Sequence, residues 1–205
     1  MHTNNLLLVK KGDEFTLIDV DQTQYDLAPR KNGDNEYIFV LFNNKLNVKL
    51  NLIDEDSSID LKVLYLASGE EQIDIDIKAS HLALKTKSSQ IIKGILTDKS
   101  KVKFHGNIYI SKDGQQSDGF QNHRALLLSK KALVESVPEL EIYADDVKCA
   151  HGSATGPIEK ESLFYLMSRG IHQRQAEKIL IQSFLNDILP EKYQFIVEEW
   201  IEKHV

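Results

Sequence analysis

A chain of 205 residues with 41% hydrophobic side chains can bury a core without help from disulfides or structural metal. Its 25 Lys and Arg stand against 31 Asp and Glu, a net charge of -6, and no Lys/Arg-rich block interleaved with aromatics occurs, which argues against nucleic acid as a partner. The longest apolar runs, such as Leu6–Val9 and Ala125–Leu128, fall far short of the ~20 residues a bilayer demands, and Met1–Asn5 lacks the basic start and small-residue cleavage site of a signal peptide. The expectation is a cytoplasmic protein with no membrane partner.

Residues 1 to about 150 read as a succession of short strands, because apolar and polar residues alternate and many of the apolar ones are β-branched or aromatic. Leu46, Val48, Leu50 and Leu52 form one run; Ile59, Leu61, Val63 and Tyr65 the next; then Ile73, Ile75 and Ile77; then Leu82 and Leu84; then Val102, Phe104, Ile108 and Ile110. Small polar spacers separate them, among them Asp54–Ser58, Ser68–Glu71, Lys87–Ser89 and Asp98–Ser100. Strands at such spacing with no helix between them fit a sandwich, a barrel or a β-solenoid, and periodicity does not choose among these. Near Pro157 the period changes to that of a helix. Leu163, Leu166, Met167 and Ile171 share one helical face, followed by Ala176, Leu180, Phe184 and Ile188, then by Tyr193, Ile196, Val197, Trp200 and Ile201. These stripes predict three amphipathic helices with core-facing sides, the first ended by Gly170 and the third opened by Pro190. The expected organisation is a β unit over residues 1–152 and a helical subdomain over 157–205.

Chemistry-bearing side chains concentrate between Phe104 and Gly156: His105, Asp118, His123, Asp145, Asp146, Cys149 and His151. Cys149 is the single cysteine, which excludes an internal disulfide and a self-contained cysteine metal cage. On an extended strand Cys149 and His151 project from one face, and a thiolate beside an imidazole suits iron or zinc. Two ligands do not fill a coordination sphere, so Cys149 as a packed small side chain and His151 as a surface residue stand beside that reading. The Asp145–Asp146 pair invites an acid/base reading, but neighbours on a strand point to opposite faces, and a turn role competes. No nucleophile elbow and no Walker lysine occurs, so a nucleotide, if used, is bound by a partner.

Three stretches resemble one family in order. Phe104-His105-Gly106-Asn107-Ile108-Tyr109-Ile110 with Gln116-Ser117-Asp118-Gly119-Phe120-Gln121 is similar to its F-x-G-x-I-x-(I/V) and Q-(T/S)-D-(A/G)-(F/Y)-Q pattern, leading to Leu126-Leu127-Leu128-Ser129. Pro138 to Gly152 resembles P-x-L-E-I-x-A-D-D-V-x-C-(S/A)-H-G, and Leu163 to Ile171 resembles L-F-Y-L-x-S-R-G-I. The family is SufB/SufD, the scaffold proteins of SUF iron-sulfur cluster assembly, and the wording C-x-H-G places the chain on the SufD side, as a shortened form.

The resemblance implies a mainly β fold, a right-handed parallel β-helix (solenoid), followed by a small C-terminal helical subdomain. It implies a non-catalytic scaffold that pairs with a SufB-like paralogue and docks a SufC-like ABC ATPase through the helices, Phe164, Tyr165, Arg169 and Gly170 among them. His151 maps onto the family's cluster-site histidine, shared transiently with the partner subunit, with Cys149 beside it and Asp145, Asp146, Gly152 and His123 as supporting residues. No cofactor is held stably; a transient iron-sulfur cluster forms at the subunit interface. Two alternatives stand beside this reading. One is a self-pairing homodimer that binds or carries metal without the ATPase. The other is a solenoid enzyme acting on polysaccharide through Asp118, Asp145 or Asp146.

Overall fold

The computed structural model describes residues 5–31, 33 and 35–205; residues 1–4, read above for a signal peptide, lie outside the described residues. The alternating segments fold as β1 (Asn5–Lys11), β2 (Glu14–Val20), β3 (Gln24–Leu27), β4 (Glu36–Leu41), β5 (Asn44–Leu52), β6 (Ser58–Ala67), β7 (Gln72–His81), β8 (Lys87–Leu96), β9 (Lys101–Ile110), β10 (Asp118–Leu127), β11 (Leu133–Ile142) and β12 (Lys148–Gly156). From β3 onward the chain alternates between a 5-stranded sheet, β11-β9-β7-β5-β3, and a 7-stranded sheet, β12-β10-β8-β6-β4-β1-β2. From β5 onward each strand pairs in parallel with the one two steps earlier in the chain. Returning to the same sheet one place further along makes a parallel solenoid of about 4 turns. The start differs: β1 and β2 form an antiparallel hairpin through Gly12, whose φ of 61° suits a residue without Cβ, and β1 joins β4 antiparallel.

Why the segments coil is legible at the corners. Asp56, Lys85 and Gln116 all adopt left-handed backbone, and they stack: the Asp56 amide donates to the Leu84 carbonyl, Lys85 to Gln115 and Gln116 to Asp146. Gly69 and Asp98 do the same at the other corner, where the Lys99 amide donates to the Gly69 carbonyl. Asp98 also caps Gly69 with its carboxylate, at 2.9 Å from the amide. A sharp turn at matched places in successive coils keeps the two sheets face to face. Two expectations shift here. Leu82 and Leu84 are not a strand but part of the corner after β7, and Lys87–Ser89, read as a spacer, opens β8.

Between the sheets lies an apolar core that includes Phe39, Leu46, Val48, Leu61, Val63, Tyr65, Ile75, Ile77, Ile92 and Phe104. A second apolar layer covers the outer face of the 7-stranded sheet, where Leu6, Leu8, Ile38, Val40, Leu64, Leu66 and Ile95 meet the C-terminal helices. That is why β6 is buried on alternate residues at its start and on every residue from Val63. The helices are α1 (Lys160–Ser168), α2 (Gln173–Leu185) and α3 (Phe195–His204), with a single 3-10 turn at Glu191–Tyr193. They contribute Ile181, Leu185, Ile188, Ile196, Val197, Trp200 and Ile201 to that layer. Lys93 pins α2 to the sheet, donating to the Phe184 carbonyl at 2.7 Å and pairing with Asp187.

The helical stripes are corrected in three places. In α2 the buried residues are Ala176, Ile181 and Leu185, so the expected Leu180 and Phe184 are only half-buried. No residue of α1 is buried, so Leu163, Leu166 and Met167 are not core. Pro190 precedes the 3-10 turn rather than opening α3. Gly170 does end α1: at φ 86° its amide donates to the Met167 carbonyl and that of Ile171 to Leu166.

Candidate functional site

The last coil of the solenoid carries the predicted site. Among the described residues β12 pairs with β10 on one side and has no strand on its other side, and β11 likewise pairs only with β9. The register sets Gly119 beside Cys149, Gln121 beside His151 and His123 beside Ser153. Registered residues of parallel strands share a face, and Gly119, Gln121 and His123 are buried on the inner face of β10. Cys149, His151 and Ser153 therefore stand on the inner face at the open end of the coil. The expectation that Cys149 and His151 share one face of one strand holds.

Cys149 is half-buried and packs, with Leu140 and Val147, on the cluster of Ile108, Ile110 and Ala144. A Cβ on the registered Gly119 would press on Ile108 Cγ2 at 3.0 Å, with His81 Nε2 at 3.4 Å and Cys149 Sγ at an ordinary contact of 3.5 Å. Burial, and then the Asp118 carboxylate, push the Cys149 thiol up, away from the thiolate that binds metal. His151 is exposed, and its imidazole makes no hydrogen bond to another described residue. Gly152 follows it, with room for a Cβ only at 3.3 Å from Asn122 Oδ1. Among the described residues no group of three or more His, Cys, Asp and Glu is placed to hold a metal ion, so the pair is at most part of a ligand set.

The supporting residues fall into two places. Asp145 and Asp146 occupy the exposed bend between β11 and β12, stacked under Gln115–Gln116: the Asp146 amide donates to Gln115 Oε1 at 3.0 Å and its carbonyl accepts from Gln116. They extend the corner column of Asp56, Lys85 and Gln116. His123 is fully buried. Its Nε2 lies 2.7 Å from the Tyr65 hydroxyl and its Nδ1 2.9 Å from Ser136 Oγ, with the ring 4.5 Å from that of Phe104. Burial pulls its pKa down to about 4, so the ring is neutral at neutral pH. Ser153 Oγ donates to Ser136 Oγ at 2.9 Å, which ties His123 to the terminal strand.

Sequence reading passed over a second polar file. Gln121 Nε2 donates to Gln90 Oε1 at 2.7 Å; His81 lies 2.8 Å from Ser88 Oγ and 2.8 Å from Thr86 Oγ1. All five are buried. The signal was present as polar residues two apart, Ser88-x-Gln90 and Gly119-x-Gln121-x-His123, occupying inward positions.

The residues named for docking lie on and just after α1. Phe164 is 74% exposed and Tyr165 57%, and the Arg169 guanidinium sits 5.3 Å over the Tyr165 ring. Gly170 is the turn that follows.

Comparison with known proteins agrees with this geometry. The model of the SUF system FeS cluster assembly SufBD core domain matches residues 21–184. The chain belongs to the SufB/SufD family, on its SufD side. It is 36% identical over 142 residues to the iron-sulfur cluster assembly protein SufD of Escherichia coli, covering 69% of this chain and 34% of that protein. It is 31% identical over 182 residues to the chloroplastic protein ABCI7 of Arabidopsis thaliana, covering 86% and 38% respectively. With SufD of Bacillus subtilis the identity is 29% over 141 residues, 69% of this chain and 32% of the relative. The chain thus spans about a third of the length of these relatives. No helix among the described residues is long and apolar enough to cross a membrane.

Proposed function

We propose that the protein is a scaffold subunit of iron-sulfur cluster assembly that pairs through the open end of its solenoid and offers His151 to a transient cluster at the joint. One observation carries this: among the described residues the last strand of the solenoid, β12, is unpaired along one edge, and it presents an exposed imidazole in its middle. An unpaired strand edge is a template for another chain's strand, and two such edges side by side, β11 and β12, let a partner's two sheets continue both. Exposed Leu133, Val137, Ile142 and Tyr143 on and beside β11 add apolar surface there. A neutral imidazole is an iron ligand, and the cluster is cargo whose remaining ligands come from the partner.

The partner on this reading is a SufB-like paralogue, and α1 takes a SufC-like ATPase through Phe164, Tyr165 and Arg169. Arg169 stacked on Tyr165 beside a protruding Phe164 is the composition of an interface anchor. Cys149 on this reading lines the site as a packed thiol. The chain itself performs no catalysis.

The experiment is anaerobic co-expression with the SufB-like and SufC-like chains of the same genome, purification through a tag on this chain, and measurement of stoichiometry and iron, with His151→Ala in parallel. Recovery of both partners, with iron lost in the variant alone, is expected. A self-paired protein that binds iron without them would favour the homodimeric carrier, and recovery of neither partner nor iron would end the scaffold reading.

A further inference from the structure

Gln121 is 1% exposed, yet its Oε1 has no hydrogen-bond partner among the described residues. A buried carbonyl oxygen left unpaired gives up its hydration with nothing in return, so its position calls for an explanation. The amide is not loose. Its Nε2 is engaged by Gln90 Oε1 in the preceding coil, and its plane lies over Gly106, where an added Cβ would come within 2.2 Å of Oε1. The two arms of a planar amide diverge. With the N–H arm engaged by Gln90 of the preceding coil, the carbonyl arm diverges from it and lies against Gly106, and the residue registered beside Gln121 in the following coil is His151.

His151 has complementary needs. A neutral imidazole carries one N–H and one lone pair, and only the lone pair binds metal. Metal-binding histidines ordinarily donate the other N–H to a carbonyl or carboxylate, which fixes the tautomer and aims the ring. His151 has no such bond to another described residue, while an unspent buried acceptor stands on the neighbouring strand.

We propose that Gln121 is the positioning residue of His151: its side-chain carbonyl takes one ring N–H and leaves the other nitrogen as the lone-pair donor at the open end of the solenoid. This rests on the reading of His151 as the cluster-site ligand. Gln90 holds the amide in the required sense, and Gly106 leaves the space in which it lies.

The test is the tautomer of His151, read from ring nitrogen shifts of the full chain labelled with 15N-histidine, above the pH range in which imidazole titrates, with the signal assigned by its loss in His151→Asn. A dominant single tautomer is expected in the parent. Gln121→Met keeps the length of the side chain and removes the acceptor, and should shift the tautomer ratio about 2- to 10-fold toward that of a free imidazole, the worth of one net hydrogen bond. Gly106→Ala displaces the amide without changing its chemistry, and should shift the ratio in the same direction. Unchanged ratios in both variants would overturn the proposal. The measurement needs neither partner nor iron, so it is separate from the functional reading: iron retained by His151→Ala complexes would sink that reading while leaving the tautomer result as it stands.

Discussion

Acid should loosen this protein through two buried imidazoles. His81 and His123 are both fully buried, and burial holds each at a pKa of about 4 instead of the ordinary 6.5. Between these values the unfolded chain binds the proton and the folded chain does not, so stability rises with pH there; it is complete above 6.5 and is lost as the pH falls toward 4. For one such site the loss between pH 7 and pH 5 works out at about 2 kcal/mol, and for both at about 4 kcal/mol. His105 acts in the opposite sense. Its hydrogen bond to Asp76 raises its pKa, with Glu139 on its other nitrogen, so its contribution is present below 6.5 and fades as the pH climbs through the raised value. Being half-exposed on the outer face, it offsets only a small part. Urea unfolding followed by Trp200, the single tryptophan, measures the parent at each pH. His123→Gln keeps groups able to meet Tyr65 and Ser136 but cannot titrate. Whatever its absolute stability, its loss between the two pH values should be smaller than the parent's by about 2 kcal/mol. Equal losses in parent and variant would show that His123 is not held neutral by burial.

Gly94→Ala places a Cβ within 1.8 Å of the fully buried Tyr65 ring, in a core with no room to move it, and should cost about 3 kcal/mol or more, read as a fall in urea midpoint. Lys93→Met keeps the volume but strips the Phe184 carbonyl and Asp187 of their partner; hydrogen exchange in α2 should speed up by about tenfold while the strands are unchanged. Cys149 should alkylate at neutral pH more slowly than a free thiol, because burial and Asp118 raise its pKa; labelling as fast as that of a model thiol would contradict the packed placement.

Much of the fold can be read from residue order, and where reading fails the cause is physical. Alternation at Leu46–Leu52 and Ile59–Tyr65 marks strands because one side of each is hydrocarbon-packed. It could not distinguish a solenoid from a sandwich, since an inward side chain is the same whether its neighbour strand is parallel or antiparallel; the family motifs supplied that. Ser88 read as part of a spacer and Gln90 was passed over because inward positions were assumed to be apolar, and in β8 they are hydrogen-bonded hydroxyl and amide groups instead. The α1 stripe of Leu163, Leu166 and Met167 read as core because periodicity reports that a helix has an apolar face, not what covers it. His123 and His151 stand together among the chemistry-bearing side chains of the sequence, the resemblance alone setting His151 first, and the register shows the difference in surroundings: one sits where a further coil encloses it, the other where the coils stop.

That register exposes a gradient along the solenoid axis. Four inward columns run Ile59, Ser88, Gly119, Cys149; Leu61, Gln90, Gln121, His151; Val63, Ile92, His123, Ser153; and Tyr65, Gly94, Ala125, Thr155. The interior passes from hydrocarbon, through amide and buried imidazole, to thiol, exposed imidazole and hydroxyls at the last coil. At the first coils the hydrocarbon is bordered by the β1–β2 hairpin, with Leu7 and Phe39 in the core. At the last, β12 packs mainly on β10 and β11, while the helices turn back over the outer face of the 7-stranded sheet. A solenoid whose final coil were as apolar as its second would leave hydrocarbon facing water and would need a cap. Polar side chains remove that penalty, so the end can stay open, and two of them are met by polar groups already in the stack: Gln121 by Gln90 of the coil before it, and Ser153 by Ser136 across on β11. The unpartnered Gln121 Oε1 is a break in that pattern, and it falls in the column that ends at His151.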